Sequence, residues 1–256
     1  MKKASAKGYR LGWAERTEKE KDYATELDEF CRSSGYSPLE RAMAFPLYAP
    51  RQVMASFLFK YELFKKIVNV HGSVVECGVA FGAGLMAFAQ FSAILEPVNY
   101  TRRIVGFDSF GGFPGVAGQD VKGGHRHARK GGMAVDSHAE LQRAVSLFDS
   151  NRSVGHIPKV ELVKGDALET IPRYIEENPH LVVSLLYLDF DLYEPTKVAI
   201  EHFLPRMPRG ALIAFDELAH PQWPGETVAV MEKIGVNNLR IERVPFDSTR
   251  SYAVLD

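Results

Sequence analysis

Cysteine is nearly missing from this chain: Cys31 and Cys77 are the only two in 256 residues. That is too few for a disulfide framework or a thiolate zinc site and suits a reducing compartment, so the cytoplasm is the expected location. Long apolar runs are missing as well. No uninterrupted stretch approaches the ~20 residues of a membrane span. Met1-Lys2-Lys3 leads into polar and charged residues instead of an apolar signal core, so neither conventional export nor membrane anchorage is expected. Charge of one sign is absent too. The 31 Lys plus Arg stand against 32 Asp plus Glu, which leaves no global field to hold nucleic acid or an anionic bilayer, and any anionic ligand must be gripped by a local patch. What is present is a globular composition, 46% hydrophobic and 25% charged, which excludes disorder and coiled coil and supplies a sizeable core.

The first seventy residues read as helices: Glu15 to Phe30, Pro38 to Phe45 behind a cap at Ser37, and an amphipathic stretch from Gln52 to Val70. After them the pattern changes to short apolar runs at Val74-Val75, Arg103 to Phe107, Val160 to Val163, Leu181 to Leu188 and Ala211 to Phe215, with helical stretches between them. Such alternation predicts a mostly parallel sheet covered on both faces. Two further strands, near 239–243 and 251–255, are expected at one edge. The expected organisation is therefore an α/β domain over residues 72–256 behind a helical extension over 1–71. One stretch, 111–136, has no periodicity. It carries three Gly-Gly pairs with Lys122, His125, Arg126, His127, Arg129 and Lys130 among them, and reads as a lid-like loop.

Chemistry concentrates where strands should end. Glu76 to Gly84 spells an acid followed by G-x-x-x-G-x-G, with Gly78, Gly82 and Gly84 at a strand-to-helix turn. Neither the dinucleotide fingerprint nor the Walker spacing is present, which argues against NAD and ATP. The order is instead that of Rossmann-like S-adenosylmethionine (SAM) methyltransferases, with Glu76 near the methionine ammonium. Asp108, ending the second strand just before Ser109, offers two oxygens to the two ribose hydroxyls of a nucleoside, and is equally good turn chemistry. Asp166 after the third strand is placed to meet the adenine amino group, and is equally a helix cap. Asp189 and Asp191 share one side if their strand persists. With Asp216 and Glu217 after the next strand, up to four carboxylates reach one place, a donor set for a hard ion such as Mg²⁺. His220 is either an orienting group for substrate or a loop histidine.

Taken together, these segments resemble the TylF family of SAM-dependent sugar O-methyltransferases. The likeness is carried by Val75 to Val79, Gly106 to Pro114, Lys164 to Asp166 with Thr170 to Pro172, Leu188 to Thr196, and Phe215 to Glu217 followed by Pro224 to Thr227, in the family's order over roughly residues 72 to 234. The resemblance implies a Rossmann-like class I SAM methyltransferase fold with a seven-stranded sheet. It also implies SAM near Glu76, Gly78, Gly82, Asp108, Ser109, Asp166 and Asp189, Mg²⁺ at Asp189, Asp216 and Glu217, and Asp191 as general base. A homo-oligomer is expected, with a small sugar or sugar nucleotide as substrate and neither nucleic acid nor membrane as partner. There are departures: the last acidic pair is Asp-Glu where many members have Asp-Asp, and Phe81 replaces a polar or basic residue.

Methylation at the 3-hydroxyl of a dTDP-deoxyhexose such as TDP-rhamnose is the first expectation for the reaction, because Arg126, Arg129 and Lys130 suit a diphosphate. A sugar already attached to a macrolide or other natural product is the second. Two other classes stay open from the residues: a metal-dependent glycosyltransferase, since Asp189-Phe190-Asp191 is also a D-x-D, and a regulatory protein that binds SAM or metal without turnover.

Overall fold

The computed structural model describes residues 17–256. It divides into two compact units, one ending at Met54 and the other running from Ala55 to Asp256. In the first, α1 (Glu18–Ser33) and α2 (Pro38–Met43) each start at a reciprocal cap. Thr17 Oγ1 accepts from the Glu20 amide while Glu20 Oε2 accepts from the Thr17 amide, and Ser37 pairs with Glu40 in the same way. Neither helix contains a buried residue. Glu15 and Arg16, where the sequence pattern starts the first helix, lie outside the described residues.

α3 (Arg51–Ile67) crosses the border between the units, and all its buried side chains lie in the second: Phe59, Lys60, Leu63, Phe64 and Ile67. Their spacing follows the helical period, so one stripe faces the core. Each of the four apolar members is fully buried, worth ~1.5–3 kcal/mol of transfer free energy apiece.

The remainder alternates as expected: β1 (Ser73–Cys77), α4 (Ala83–Leu95), β2 (Ile104–Asp108), α5 (Gly118–Val121), α6 (His138–Ser150), β3 (Val160–Lys164), α7 (Ala167–Glu177), β4 (Val183–Leu188), α8 (Tyr193–Phe203), β5 (Leu212–Phe215), α9 (Pro224–Lys233), β6 (Ile241–Glu242) and β7 (Ser251–Val254). The sheet has seven strands in the order β3-β2-β1-β4-β5-β7-β6. The pairs from β3 to β5 are parallel; β7 runs antiparallel to both β5 and β6.

Successive residues of the central strands point to opposite faces, so Val74, Ile104, Leu185 and Leu212 join one core layer while Val75, Val105, Leu186 and Ile213 join the other. Both faces are covered, which is why these strands read as continuous apolar runs. The strand order reverses between β1 and β4, the crevice where open sheets of this kind bind ligands.

The stretch from 111 to 136 is more ordered than its sequence suggests. Phe113 and Gly131-Gly132 exchange backbone hydrogen bonds at its base, and the short α5 lies inside it. Asp120, 1% exposed, accepts from the amides of Ala117 and Tyr193 at 2.8 Å each. Leu192, the residue before α8, has no side-chain cap, so a carboxylate from 73 residues away satisfies that helix start instead.

Candidate functional site

The carboxyl ends of β1, β2, β4 and β5 bring the expected residues to one edge. At the end of β1 the chain passes through Gly78 with φ +99°, and a Cβ there would stand 1.9 Å from the Asp189 carbonyl oxygen. Only glycine lets the turn lie against the end of β4. Gly84 answers to a different neighbour, since its Cβ would meet Glu76 Oε1 at 1.9 Å. Glu76 is 2% exposed, and burial pushes its carboxyl up to about 8 even though Lys60 draws it the other way. Its Oε2 has no hydrogen-bond partner among the described residues.

Three residues expected at the cofactor hold their own backbone. Asp108 Oδ2 accepts from the amides of Val79 and Ala80 at 2.8 and 2.9 Å, and Oδ1 from that of Phe110 at 2.6 Å, so the end of β2 braces the glycine turn after β1. Ser109 closes a tight turn through Gly111 and Gly112. Asp166 caps α7 by accepting from the Leu168 amide at 3.0 Å. Gly82, with φ +82°, opens α4, and Leu141 fills the space a side chain would need there. Phe81 beside it is 54% exposed.

The acidic residues arrange themselves differently from their spacing. β4 ends at Leu188, so Asp189 and Asp191 do not alternate along a strand. Asp191 instead takes φ +62°, a left-handed conformation that costs a non-glycine residue ~1–3 kcal/mol and is concentrated at functional positions. The turn brings one oxygen each of Asp189, Asp191 and Glu217 within 4.8 Å of one another. Burial first, and then the negative charges of Asp216 and Asp191, push the carboxyls of Asp189 and Glu217 well up. Asp191 is pushed up to about 7, again first by burial, with a hydrogen bond involving Glu217 opposing the rise.

Asp216, expected as a metal ligand beside Asp189 and Glu217, is engaged elsewhere. Its Oδ1 receives Arg250 Nε at 2.5 Å and the Tyr187 hydroxyl at 2.6 Å, and its Oδ2 receives Arg250 Nη2 at 3.4 Å. Burial alone would raise its carboxyl, but Arg250, Lys60 and the Tyr187 hydroxyl overcome that and hold it below the usual range. The three carboxylates within 4.8 Å of one another are those of Asp189, Asp191 and Glu217, whereas the resemblance implies Asp189, Asp216 and Glu217 as ligands. His220 lies in a turn, its Nδ1 accepting from the Gln222 amide at 3.3 Å.

Sequence reasoning passed over several participants. Glu226, fully buried in the first turn of α9, accepts from the Glu217 amide at 3.2 Å and leaves its other oxygen unpartnered. Lys60 donates to the Tyr187 hydroxyl at 3.1 Å. A signal for Lys60 existed, since it falls on the same helical stripe as Leu63, Phe64 and Ile67; Arg250 had none.

A doubly wound sheet in this order, with an acid-preceded glycine turn after β1 and an acid ending β2, defines a Rossmann-like class I SAM-dependent methyltransferase. More narrowly, the chain belongs to the Macrocin-O-methyltransferase (TylF) family, which matches residues 62–235. The likeness extends to solved structures. The chain is 35% identical to CalS11, calicheamicin methyltransferase, over 93% of both chains with a TM-score of 0.89. It is 32% identical to an apo structure of CalS11, there called TDP-rhamnose 3'-O-methyltransferase, an enzyme in calicheamicin biosynthesis, over 93% of this chain and 95% of that one with a TM-score of 0.81. The O-methyltransferase NovP shares the fold at 21% identity and a TM-score of 0.61, over 80% of this chain and 79% of its own. No curated protein matches the chain in sequence. Family and fold together remove the glycosyltransferase reading. Among the described residues no helix is long and apolar enough to cross a membrane.

Proposed function

We propose that this methyltransferase transfers the methyl group of SAM to the 3-hydroxyl of a nucleotide-linked 6-deoxysugar, such as TDP-rhamnose, in natural-product biosynthesis, and that it does so with Mg²⁺. The observation that carries the metal half is the trio Asp189, Asp191 and Glu217 within 4.8 Å, all hard oxygen donors, with Glu217 Oε2 buried and unpartnered. In this reading Asp189, Asp216 and Glu217 hold the ion, and Asp191 beside them is the base. A hard divalent ion there would lower the pKa of a sugar hydroxyl near it.

The chain's own residues do the rest. The turn from Gly78 to Gly82, braced by Asp108, positions the sulfonium, with Glu76 toward the methionine end, Asp108 and Ser109 toward the ribose, Asp166 toward the adenine and Asp189 at the border with the acidic trio. Asp191 accepts the hydroxyl proton as the sugar oxygen forms its bond to the methyl carbon. The carbon–sulfur bond breaks in line, and its electron pair stays on sulfur.

The nucleotide-linked acceptor is supported by the similarity to a protein described as a TDP-rhamnose 3'-O-methyltransferase, and by Arg126, Arg129 and Lys130 in the 111–136 loop, which suit a diphosphate. The chain is read as a methyltransferase domain over 72–256 behind a helical extension over 1–71, with that loop as the domain's lid. The protein is read as a cytoplasmic homo-oligomer; Leu39, Met43 and Leu47, at 59–80% exposed, give the first unit an apolar surface to bury.

Mass spectrometry of TDP-rhamnose incubated with enzyme, SAM and Mg²⁺ should show a gain of one methyl on the sugar, and excess EDTA should abolish it. Turnover only on a glycosylated natural product would move the acceptor, and full turnover in EDTA would sink the metal.

A further inference from the structure

Glu76 has a cation beside it that comes from outside the sheet. Lys60 stands on α3, ahead of β1 in the chain, yet it is only 5% exposed and its end reaches the carboxyl edge of the central strands. A Cβ on Gly84, in the first turn of α4, would meet Glu76 Oε1 at 1.9 Å and Lys60 Cε at 2.7 Å, so the two side chains converge beside the start of that helix. Tyr187 holds both in place. It pairs in register with Glu76, its hydroxyl accepts from Lys60 Nζ at 3.1 Å, and its ring centre lies 4.3 Å from the same nitrogen.

Neither charge is fully engaged. A lysine ammonium has three donors. One goes to Tyr187 and one to Ser56 Oγ at 3.4 Å, and the third has no acceptor among the described residues, just as Glu76 Oε2 has no donor. Lys60 is the strongest positive influence on the Glu76 carboxyl, but no ion pair closes between the two. The start of α4 adds to the pattern, because Gly82 provides no side-chain cap and the helix dipole presents partial positive charge to the same place. An acid and a cation side by side at a positive helix end complement a group that carries an ammonium and a carboxylate on one carbon. The amino-acid end of SAM is such a group.

We propose that Lys60 binds the α-carboxylate of SAM while Glu76 takes the ammonium on the same carbon, so that a helix from ahead of the sheet completes the cofactor site. The proposal rests on the reading that places the methionine end at Glu76. Lys60 is also a counter-ion to Asp189 and Asp216. The two roles separate in their response to the ligand: a counter-ion does not distinguish a cofactor with a carboxylate from one without it.

The test compares SAM with decarboxylated SAM, which keeps the nucleoside, the sulfonium and the amine and lacks only the carboxylate. Binding of each to the full chain is measured by calorimetry, without acceptor or metal, for wild type, K60M, K60Q and K60R, with thermal melting to confirm folding. Wild type should bind SAM on the order of tenfold or more tightly than decarboxylated SAM, as a charge-assisted hydrogen bond provides. K60M should lose that preference by weakening SAM, while decarboxylated SAM, with no anion to lose, is held as tightly as before or more tightly. K60R, which keeps the charge, should retain most of the preference. A preference that survives in folded K60M, or an equal weakening of both ligands, would overturn the role of Lys60 and leave the cofactor placement standing. If K60M does not fold, K60Q decides instead, since it can still donate to the Tyr187 hydroxyl without the charge, and a surviving preference there counts equally against the proposal. Wild-type protein that binds decarboxylated SAM as tightly as SAM would end both the proposal and the placement of the amino-acid end between Glu76 and Lys60.

Discussion

The two ends of the ligand edge solve the burial of acids in opposite ways. Around β1, β2 and β3, Asp108 and Asp166 accept hydrogen bonds from nearby amides, so each carboxylate is stabilised by backbone dipoles and in turn fixes a loop or helix start. Around β4 and β5, Asp189, Asp191 and Glu217 crowd together with few donors, and their carboxyls rise because burial and like charge leave the ionised form poorly supported. Asp108 and Asp166 are satisfied as they stand, while Glu76 on β1 keeps one oxygen unpartnered among the described residues. The second region leaves Glu217 Oε2 and Glu226 Oε2 buried without a partner among the described residues, which is the difference expected between a site that shapes a ligand's surroundings and one that takes part in moving a proton.

The contrast can be broken most sharply at Asp191. An Asp191→Asn enzyme should lose ~10²–10⁴ in kcat with Mn²⁺ and SAM affinity near wild type and no rescue by added metal, because only the proton acceptor is gone. Normal turnover would move the base elsewhere, His220 being a candidate. Asp189→Asn should fail in another way, with a weaker ion and partial recovery of rate at high Mg²⁺; a loss that no metal concentration changes would remove Asp189 from the ligand set.

On the other side, Asp108→Ala gives up charge-assisted bonds worth ~1.5–3 kcal/mol each. SAM affinity measured by calorimetry should drop about tenfold or more, and unchanged affinity would leave Asp108 as a brace for the turn and nothing else. The mildest probe is Asp166→Ala. It should cost ~1 kcal/mol of stability as a lost helix cap, seen in denaturant unfolding, with SAM binding reduced only if Asp166 also meets the adenine.

Acidity offers a further way to sharpen the contrast. Glu76 has its carboxyl near 4.5 when the chain is unfolded and about 8 when folded. Between those values the native state keeps a proton that the unfolded state has released. The contribution is therefore full below about 4.5 and is lost as pH rises through 8. Melting of the metal-free protein from pH 5.5 to 8.5 should show stability falling with pH, and Glu76→Gln should flatten that slope. An equal slope in Glu76→Gln would mean that Glu76 is ionised throughout.

What was legible in the sequence follows the same division. The strands were readable because both sheet faces are covered, and the glycine turn because Gly78 and its neighbours have no alternative at such close approach. Asp166 was visible as a cap because its partner lies two residues away. The acidic centre was legible as a gathering of residues but not as a geometry. Period two failed at Asp191, where the strand had already ended and one left-handed residue did the aiming. Asp216 could not be assigned from its neighbours, since its partner enters from the far end of the chain through the sheet's antiparallel edge. Asp120 was hidden for a similar reason, its partner amide being 73 residues away.

Asp120 has a consequence for anyone who would redesign this protein. Because a loop carboxylate stands in as the missing end-piece of α8, and Gly225 on α9 leaves it room, with a Cβ there only 2.1 Å from Asp120 Oδ1, the 111–136 segment is stapled to α8 as well as packed on Trp223 through Phe113 and His125. Grafting a loop from a relative should succeed when the donor brings its own Asp-and-Gly pair, and should unsettle α8, and Asp191 just ahead of it, when it does not. Residues 122–130 follow Asp120 in that segment and are themselves seated on the scaffold, with Gly123 against the Gln222 backbone and His125 against Trp223, so changes there reach the start of α9 as well.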